Sequence, residues 1–268
     1  RTYTDQKTES IPRLSLAYAL NDDQGSYSVT GMGTVTGTSV TVPDTHEGLP
    51  VTAVAAGAFR NAAITQITLS VNVTAIGADA FAGCEALEVT YGGTLADWAA
   101  IDFENASANP LNGGSLVIGG EKVTDPVLPD SVTEIKPYAF AGATFVSITL
   151  NVSVVVIGAG AFEGADLGDV NYGGSIADWV DIDFENASAN PLNGGSLVIG
   201  GEQVTDLVIP AGVTAIKPFA FAGATFVSIT LNVSVTVIGA GAFEGADLGE
   251  VRYGGSIAHW VGIDFENP

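Results

Sequence analysis

Asp102 and Glu104 flank a phenylalanine in the run IDFEN, and the pair returns as Asp183 and Glu185 and again as Asp264 and Glu266. Carboxylates at such spacing offer oxygens to Ca²⁺, which takes six to eight of them. Two per copy are too few without backbone carbonyls, so solvation is the favoured role, and no metal site is expected. The adjoining NASANPL reads as an ordered turn as easily as a ligand loop. His46 sits in a loop, and His259 stands where the sister copies carry Asp97 and Asp178. An imidazole that related copies replace with a carboxylate is a poor catalytic base. No HExxH, CxxC, GxSxG or phosphate-loop pattern occurs, and no nucleophile or acid–base pair is written at a recognisable spacing. The chain is read as a non-enzyme without a cofactor.

Three further residue types invite chemistry and find a plainer use. Cys84 is the single cysteine; it forms no internal disulfide and reads as a small buried apolar residue. Trp98, Trp179 and Trp260 have the right chemistry for stacking on sugars, yet they fall in an apolar row and are read as packing. Asn72, Asn105, Asn151, Asn186 and Asn232 head Asn-x-Ser/Thr triplets, which matter only in a host that glycosylates them. In a bacterial protein they carry no weight.

Eight Lys plus Arg stand against thirty Asp plus Glu, a formal charge of -22. Phosphate backbones and anionic lipid surfaces are repelled at long range, so nucleic acid is excluded as a partner. A composition of 47% hydrophobic residues with 34 Gly is too apolar for disorder and too evenly interrupted for membrane insertion. No initiator Met and no n-region or h-region opens the sequence, so any export signal is expected to have been removed or to lie outside these residues.

What positions these residues is a repeat. Tyr91, Tyr172 and Tyr253 are spaced by 81 residues, and 91–171 differs from 172–252 at fourteen positions. Within each block the Phe residues mark a finer step: Phe59, Phe81 and Phe103, then Phe140, Phe162 and Phe184, then Phe221, Phe243 and Phe265, at gaps of 22, 22 and 37. A block is therefore three coils of 22 residues plus a 15-residue insertion. A second row, five residues before each Phe, runs Val54, Ile76, Trp98, Ile135, Ile157, Trp179, Ile216, Ile238 and Trp260. Two further rows contain Leu69, Tyr91, Leu128 and Leu150, and Ile64, Phe145, Leu167 and Phe226. Apolar rows at a fixed period bury side chains between successive coils, which predicts a solenoid.

The expected organisation is a polar segment at 1–13, an N-terminal β cap at 14–42, and a solenoid over 43–268 with nine coils. Hairpin insertions are placed near 104–122 and 185–203, the first turning at Gly119-Gly120 and projecting from one edge. Short β-branched runs such as ITQITL predict one or two parallel strands per coil, with little helix beyond a turn or two in LADWAAIDF. The chain ends at Pro268, sixteen residues into a third block. This predicts truncation of a longer array, or a last coil that another chain covers by self-association.

Residues 73–93, VTAIGADAFAGCEALEVTYGG, and 128–150, LPDSVTEIKPYAFAGATFVSITL, resemble the BspA-type leucine-rich repeats of bacterial surface proteins. The run IPAGVTAIKPFAFAGATFVSITL at 209–231 repeats the resemblance, which covers roughly 42–268. Two departures stand out: TLNVSV replaces the usual Pro-Asp/Asn-Ser turn after the strand, and the family cysteine survives only at Cys84. The resemblance implies a leucine-rich-repeat solenoid at the cell surface or outside the cell, with a role in adhesion.

Solenoids bind along the outward face of their strands. Counting from the apolar rows puts there Gln66, Glu88, Asp125, Ser147, Asp169, Asp206, Ser228 and Glu250. Beside them run Thr68, Thr90, Val127, Thr149, Asn171, Val208, Thr230 and Arg252. The stripe is acidic and hydroxyl-rich with few aromatic anchors, so affinity is expected from many weak contacts or from multivalency. A host or cell-surface protein or glycan is the expected partner of an adhesin or interaction module. The alternative is an assembly role, with near-equal blocks building a stalk, surface layer or filament.

Overall fold

In Gln66–Leu69 the side chains alternate: Ile67 and Leu69 are buried, whereas Gln66 and Thr68 face outward. That period of two suits a strand with one face on the core. Repeating it once per coil stacks strands in parallel. The computed structural model describes residues 15–266; the expected polar segment 1–13 lies outside them.

Each coil contributes to two sheets. On the first, Ser39–Val42, Gln66–Leu69, Glu88–Tyr91 and Ser115–Ile118 pair in parallel, with Ser39, Gln66, Glu88 and Ser115 on adjacent rungs. The second sheet holds shorter strands, such as Ala75–Ile76 beside Asp102–Phe103. The N-terminal strands Ala17–Leu20 and Tyr27–Gly31 form an antiparallel hairpin, and the latter pairs in parallel with Leu49–Val54. Among the described residues helix is confined to short turns: α1 (Leu95–Ala99), α2 (Ile176–Trp179), α3 (Ile257–Val261) and two 3₁₀ turns. This is a β-rich solenoid of short, mostly parallel strands.

The hairpin arms do not project from an edge. Ser115–Ile118 enters the parallel sheet beside Glu88–Tyr91, and only Glu121–Lys122 turns back antiparallel across Gly119-Gly120. The second insertion does the same, with Ser196–Ile199 beside Asp166–Tyr172. An antiparallel arm is a poor template for the next parallel coil. Both sheets therefore break after each insertion, and new ladders begin at the Val127–Thr149 bridge and Glu134–Ile135, then at Asp206–Val208 and Ala215–Ile216.

The Phe row is buried from Phe59 through Phe221, with Phe59 and Phe81 stacked at 5.3 Å and Phe140 and Phe162 at 5.6 Å. Burying such rings contributes roughly 2 kcal/mol or more apiece. The corners that carry them place the residue two before Phe at positive φ: Asp79, Tyr138, Gly160, Phe219 and Gly241. Left-handed backbone there is what GAGAF supplies without strain.

Candidate functional site

IDFEN comes into focus first. Asp102 and Asp183 point outward, Asp183 pairing with Lys217 at 2.8 Å. Glu104 Oε2 accepts from the Ala78 amide at 2.7 Å and Asn105 Oδ1 from the Asp79 amide at 3.1 Å; Glu185 and Asn186 repeat this on Ala159 and Gly160. Solvation thus describes the Asp members, whereas Glu104 and Glu185 clasp the corner of the preceding coil. Among the described residues no group of three or more His, Cys, Asp or Glu is placed to hold a metal ion.

NASANPL is an ordered turn with a structural task. Asn109, 1% exposed, donates from Nδ2 to the carbonyls of Tyr138 and Ala139 at 2.8 and 2.9 Å and accepts from the Leu111 amide. Asn190 makes the corresponding bonds to Phe219, Ala220 and Leu192. Trp98 and Trp179 are fully buried, each edge-on to a tyrosine, and their indole N–H groups donate across the sheet break to Ala139 and Ala220. These rings are core. Asn151, a sequon residue, spends its amide nitrogen on the Pro129 carbonyl at 2.8 Å.

The LADWA turn explains the variant histidine. Thr94 caps α1 with Asp97 bonding back to the Thr94 amide at 2.8 Å, and Ser175 with Asp178 does so at α2. Such reciprocal capping satisfies two orphan donors. Hydrogen bonds from the Thr94 and Ser175 side chains, and then from their amides, hold the Asp97 and Asp178 carboxyls below the usual carboxylate range. His259 takes the equivalent place in α3, where only the Ser256 half of the cap remains. His46 instead stacks on Tyr18 at 3.7 Å and meets Tyr27 edge-on at 4.8 Å. Cys84 is buried with its sulfur 3.1 Å from the Phe59 carbonyl, and burial pushes its thiol pKa up.

On the strand face, rungs are tied laterally. Gln66 Nε2 donates to Glu88 Oε1 at 3.1 Å, Ser147 Oγ to Asp125 Oδ1 at 3.0 Å, and Ser228 Oγ to Asp206 Oδ1 at 2.5 Å. Asp169, Asp206 and Glu250 are exposed, and Thr68, Thr90, Thr149, Asn171 and Thr230 are half-buried in the row beside them. Val127 and Val208 are 61% and 55% exposed. Arg252 reaches Glu250 at 2.6 Å and Ser228 Oγ at 3.3 Å. Ser228 is consequently 2% exposed and is corrected from a surface contact to a covered one.

The row also contains residues that counting missed. Ser115 and Ser196 take rungs beside Glu88 and Asp169, because the hairpin arms enter the sheet. Val146 and Val227 are exposed as well, at 69% and 67%. Within Thr144–Leu150 both Val146 and Ser147 lie on the outer side, and Val146 and the facing Gly168 stand unpaired between the Phe145–Leu167 and Ser147–Asp169 rungs with the register unchanged.

The model of the BspA-type leucine-rich repeat region matches residues 38–112, 119–190 and 200–261, most of the chain. The chain belongs to the BspA-type leucine-rich repeat family. A comparison with curated proteins finds no match. A leucine-rich cell surface protein of Faecalibacterium prausnitzii is similar at 17% identity, with 98% of this chain and 97% of that one covered and a TM-score of 0.49. A leucine-rich repeat protein of Bacteroides ovatus shows 17% identity over 89% of this chain and 75% of its own, with a TM-score of 0.45. One from T. pallidum shows 21% over 87% and 82%, with a TM-score of 0.34. As a BspA-type chain this is a repeat protein of interaction-module type. Among the described residues no helix is long and apolar enough to cross a membrane.

Proposed function

We propose that this BspA-type chain is a non-enzymatic cell-surface or extracellular adhesin that recognises a host or cell-surface protein or glycan along its outward strand face. The observation that carries the reading is the laterally bonded acidic row, in which Gln66–Glu88, Asp125–Ser147 and Asp206–Ser228 hold their polar groups in fixed register. Prearranged groups cost less side-chain entropy on binding. An extended flat face of exposed polar residues suits many modest contacts better than one deep pocket.

The test is capture of extracellular matrix proteins and glycans on an array by the purified chain. Glu88→Lys/Asp169→Lys/Glu250→Lys should weaken the captured ligand's Kd by about tenfold or more, since rim charges tune recognition. Glu163→Lys, at an exposed corner, serves as the control and should not. Equal binding by both variants would refute the face as the site.

A second reading, assembly into a stalk, layer or filament, is favoured by the identity of the two joints between blocks. Trp98 to Ala139 and Trp179 to Ala220 are both 2.7 Å. Concentration-dependent growth of particle mass in light scattering would support assembly, and a constant monomer mass would support adhesion.

A further inference from the structure

Asn-Gly occurs twice in the sequence, at Asn112-Gly113 and Asn193-Gly194, inside the identical stretches 104–121 and 185–202. Both asparagines lie exposed in the insertions. In this dipeptide a backbone amide readily reaches the preceding side-chain carbonyl carbon, because glycine has no Cβ to obstruct the approach. Two identical loops would react alike if their surroundings matched.

They do not match. In the first loop the Asn112 carbonyl accepts from the Ala86 amide at 3.1 Å, the Gly113 amide donates to the Gly142 carbonyl at 3.1 Å, and the Ser115 amide donates to the Leu87 carbonyl at 2.8 Å. Asn112-Gly113 is thereby held between the coil before it and the coil after it. In the second loop the Gly194 amide turns back on the Leu192 carbonyl at 2.8 Å, and the Asn193 amide reaches the Asn190 carbonyl at 3.5 Å. The cause lies in the preceding strand. Glu88–Tyr91 begins late and leaves Ala86, at φ 51°, and Leu87 to bond the loop. Asp166–Tyr172 begins earlier, and Leu167, one 81-residue period after Ala86, already sits on a rung with Phe145.

We infer that Asn193 is a site of spontaneous deamidation in the folded chain and that Asn112 is protected. The Gly194 amide nitrogen attacks Asn193 Cγ; the N–Cγ bond forms, the Cγ–Nδ2 bond breaks, and ammonia leaves with the proton of the Gly194 amide. Water then opens the resulting succinimide at either carbonyl, giving aspartate or isoaspartate. In the second loop only a local turn has to loosen, and local openings lie at the low end of the stability scale. In the first, contacts with both neighbouring coils must break as well. Isoaspartate would unfasten the second joint. Gly223 packs so closely on Asn193 that a Cβ there would lie 2.7 Å from the Asn193 Cα, and Asn190, whose amide joins the blocks, stands just upstream in the same loop. A backbone lengthened by one methylene does not keep that fit. The second joint therefore carries a one-way chemical clock, independent of what the strand face binds.

The test incubates the whole chain in mildly alkaline buffer and follows both loops by tryptic mapping and mass spectrometry, with electron-transfer fragmentation to separate aspartate from isoaspartate. Trypsin places the two loops in different peptides, because Lys122 follows the first where Gln203 follows the second. Asn193 should convert about tenfold faster than Asn112, the factor expected of extra inter-coil bonds of modest net strength. In urea, where the surroundings are gone, the two identical loops should react at one common rate. The aged chain should show a lowered midpoint in urea denaturation, whereas Asn193→Ser, which has no carboxamide to lose there, should keep its midpoint over the same interval. Equal rates in the folded chain, faster conversion of Asn112, or an inert Asn193 in the folded chain while the unfolded chain reacts would overturn the inference. A fall in midpoint that Asn193→Ser shares would overturn its link to the second joint.

Discussion

The indole N–H of Trp98 donates to the carbonyl of Ala139 at 2.7 Å, forty-one residues along the chain, and Trp179 does the same to Ala220. Asn109 and Asn190 point their amides at those same carbonyls. Where the parallel ladders stop, these side chains join backbone bonds such as Lys136 to Ala99 and Lys217 to Val180 in connecting one block to the next.

Removing one of these clips should be expensive. Asn190→Ala leaves the buried Leu192 amide without a partner, whereas the Phe219 carbonyl keeps the Ala222 amide and the Ala220 carbonyl keeps Trp179. A buried polar group left unpaired costs about 1–3 kcal/mol, and a loss of that size in urea denaturation is expected. Trp179→Phe keeps most of the ring and leaves Ala220 with its Asn190 bond, so its cost should be smaller.

Phe162→Ala tests the interior rows. The ring is buried and stacked on Phe140 at 5.6 Å, and a large-to-small change there should cost about 3–5 kcal/mol. An unmoved denaturation midpoint would place the ring outside the packed rows.

Two glycines separate sterics from backbone preference. Gly164 has φ 66° with nothing near its missing Cβ, so Gly164→Ala should cost about 1 kcal/mol in thermal melts. Gly168→Ala would drive a methyl against the Val146 carbonyl oxygen and should cost more than Gly164→Ala, with the strand pairing disturbed in hydrogen exchange.

Acid should loosen the short helices. The Asp97 and Asp178 carboxyls are held below their ordinary range by the Thr94 and Ser175 caps. A depressed folded value gives stability that is present above the unfolded pKa of about 3.9 and is lost as pH falls through the folded one. Thermal melts from pH 5 down to pH 2 should show a falling Tm, and Asp97→Asn/Asp178→Asn should flatten the slope. Thr94→Ala should cost about 1 kcal/mol at neutral pH.

Alkali should act through tyrosine with the opposite sign. Burial first, and nearby aspartates second, push the Tyr91 and Tyr172 phenols up to about 12. Their stabilising contribution is intact below the ordinary value of about 10 and is lost as pH rises toward 12. Absorbance titration at 295 nm should show Tyr91 and Tyr172 ionising late, together with loss of the folded circular dichroism signal.

The repeat, its strands and its buried rows were legible because Phe, Ile and Leu recur at one spacing, and only stacked coils reconcile that spacing with burial. Asn109 was not legible as a joint, since its partners lie 29 and 30 residues away and an Asn in a polar turn has no pattern that announces them. Glu104 looked solvated for the same reason: the amide it clasps belongs to the previous coil. On the strand face, counting by twos reached Ser147 but passed over Val146, because the strand puts both neighbours on its outer side and so breaks the alternation. It also skipped Ser115 and Ser196, whose hairpin arms had been expected outside the sheet.

The interruption of both ladders at each insertion has a mechanical consequence. Within a block, a pull along the stack must draw apart whole rows of parallel backbone bonds together, whereas a joint is fastened by a few backbone bonds, such as Lys136 to Ala99 and Lys217 to Val180, and a handful of indole and amide contacts. Stretched from its ends, the molecule should part at these seams first and lengthen in steps, one segment at a time.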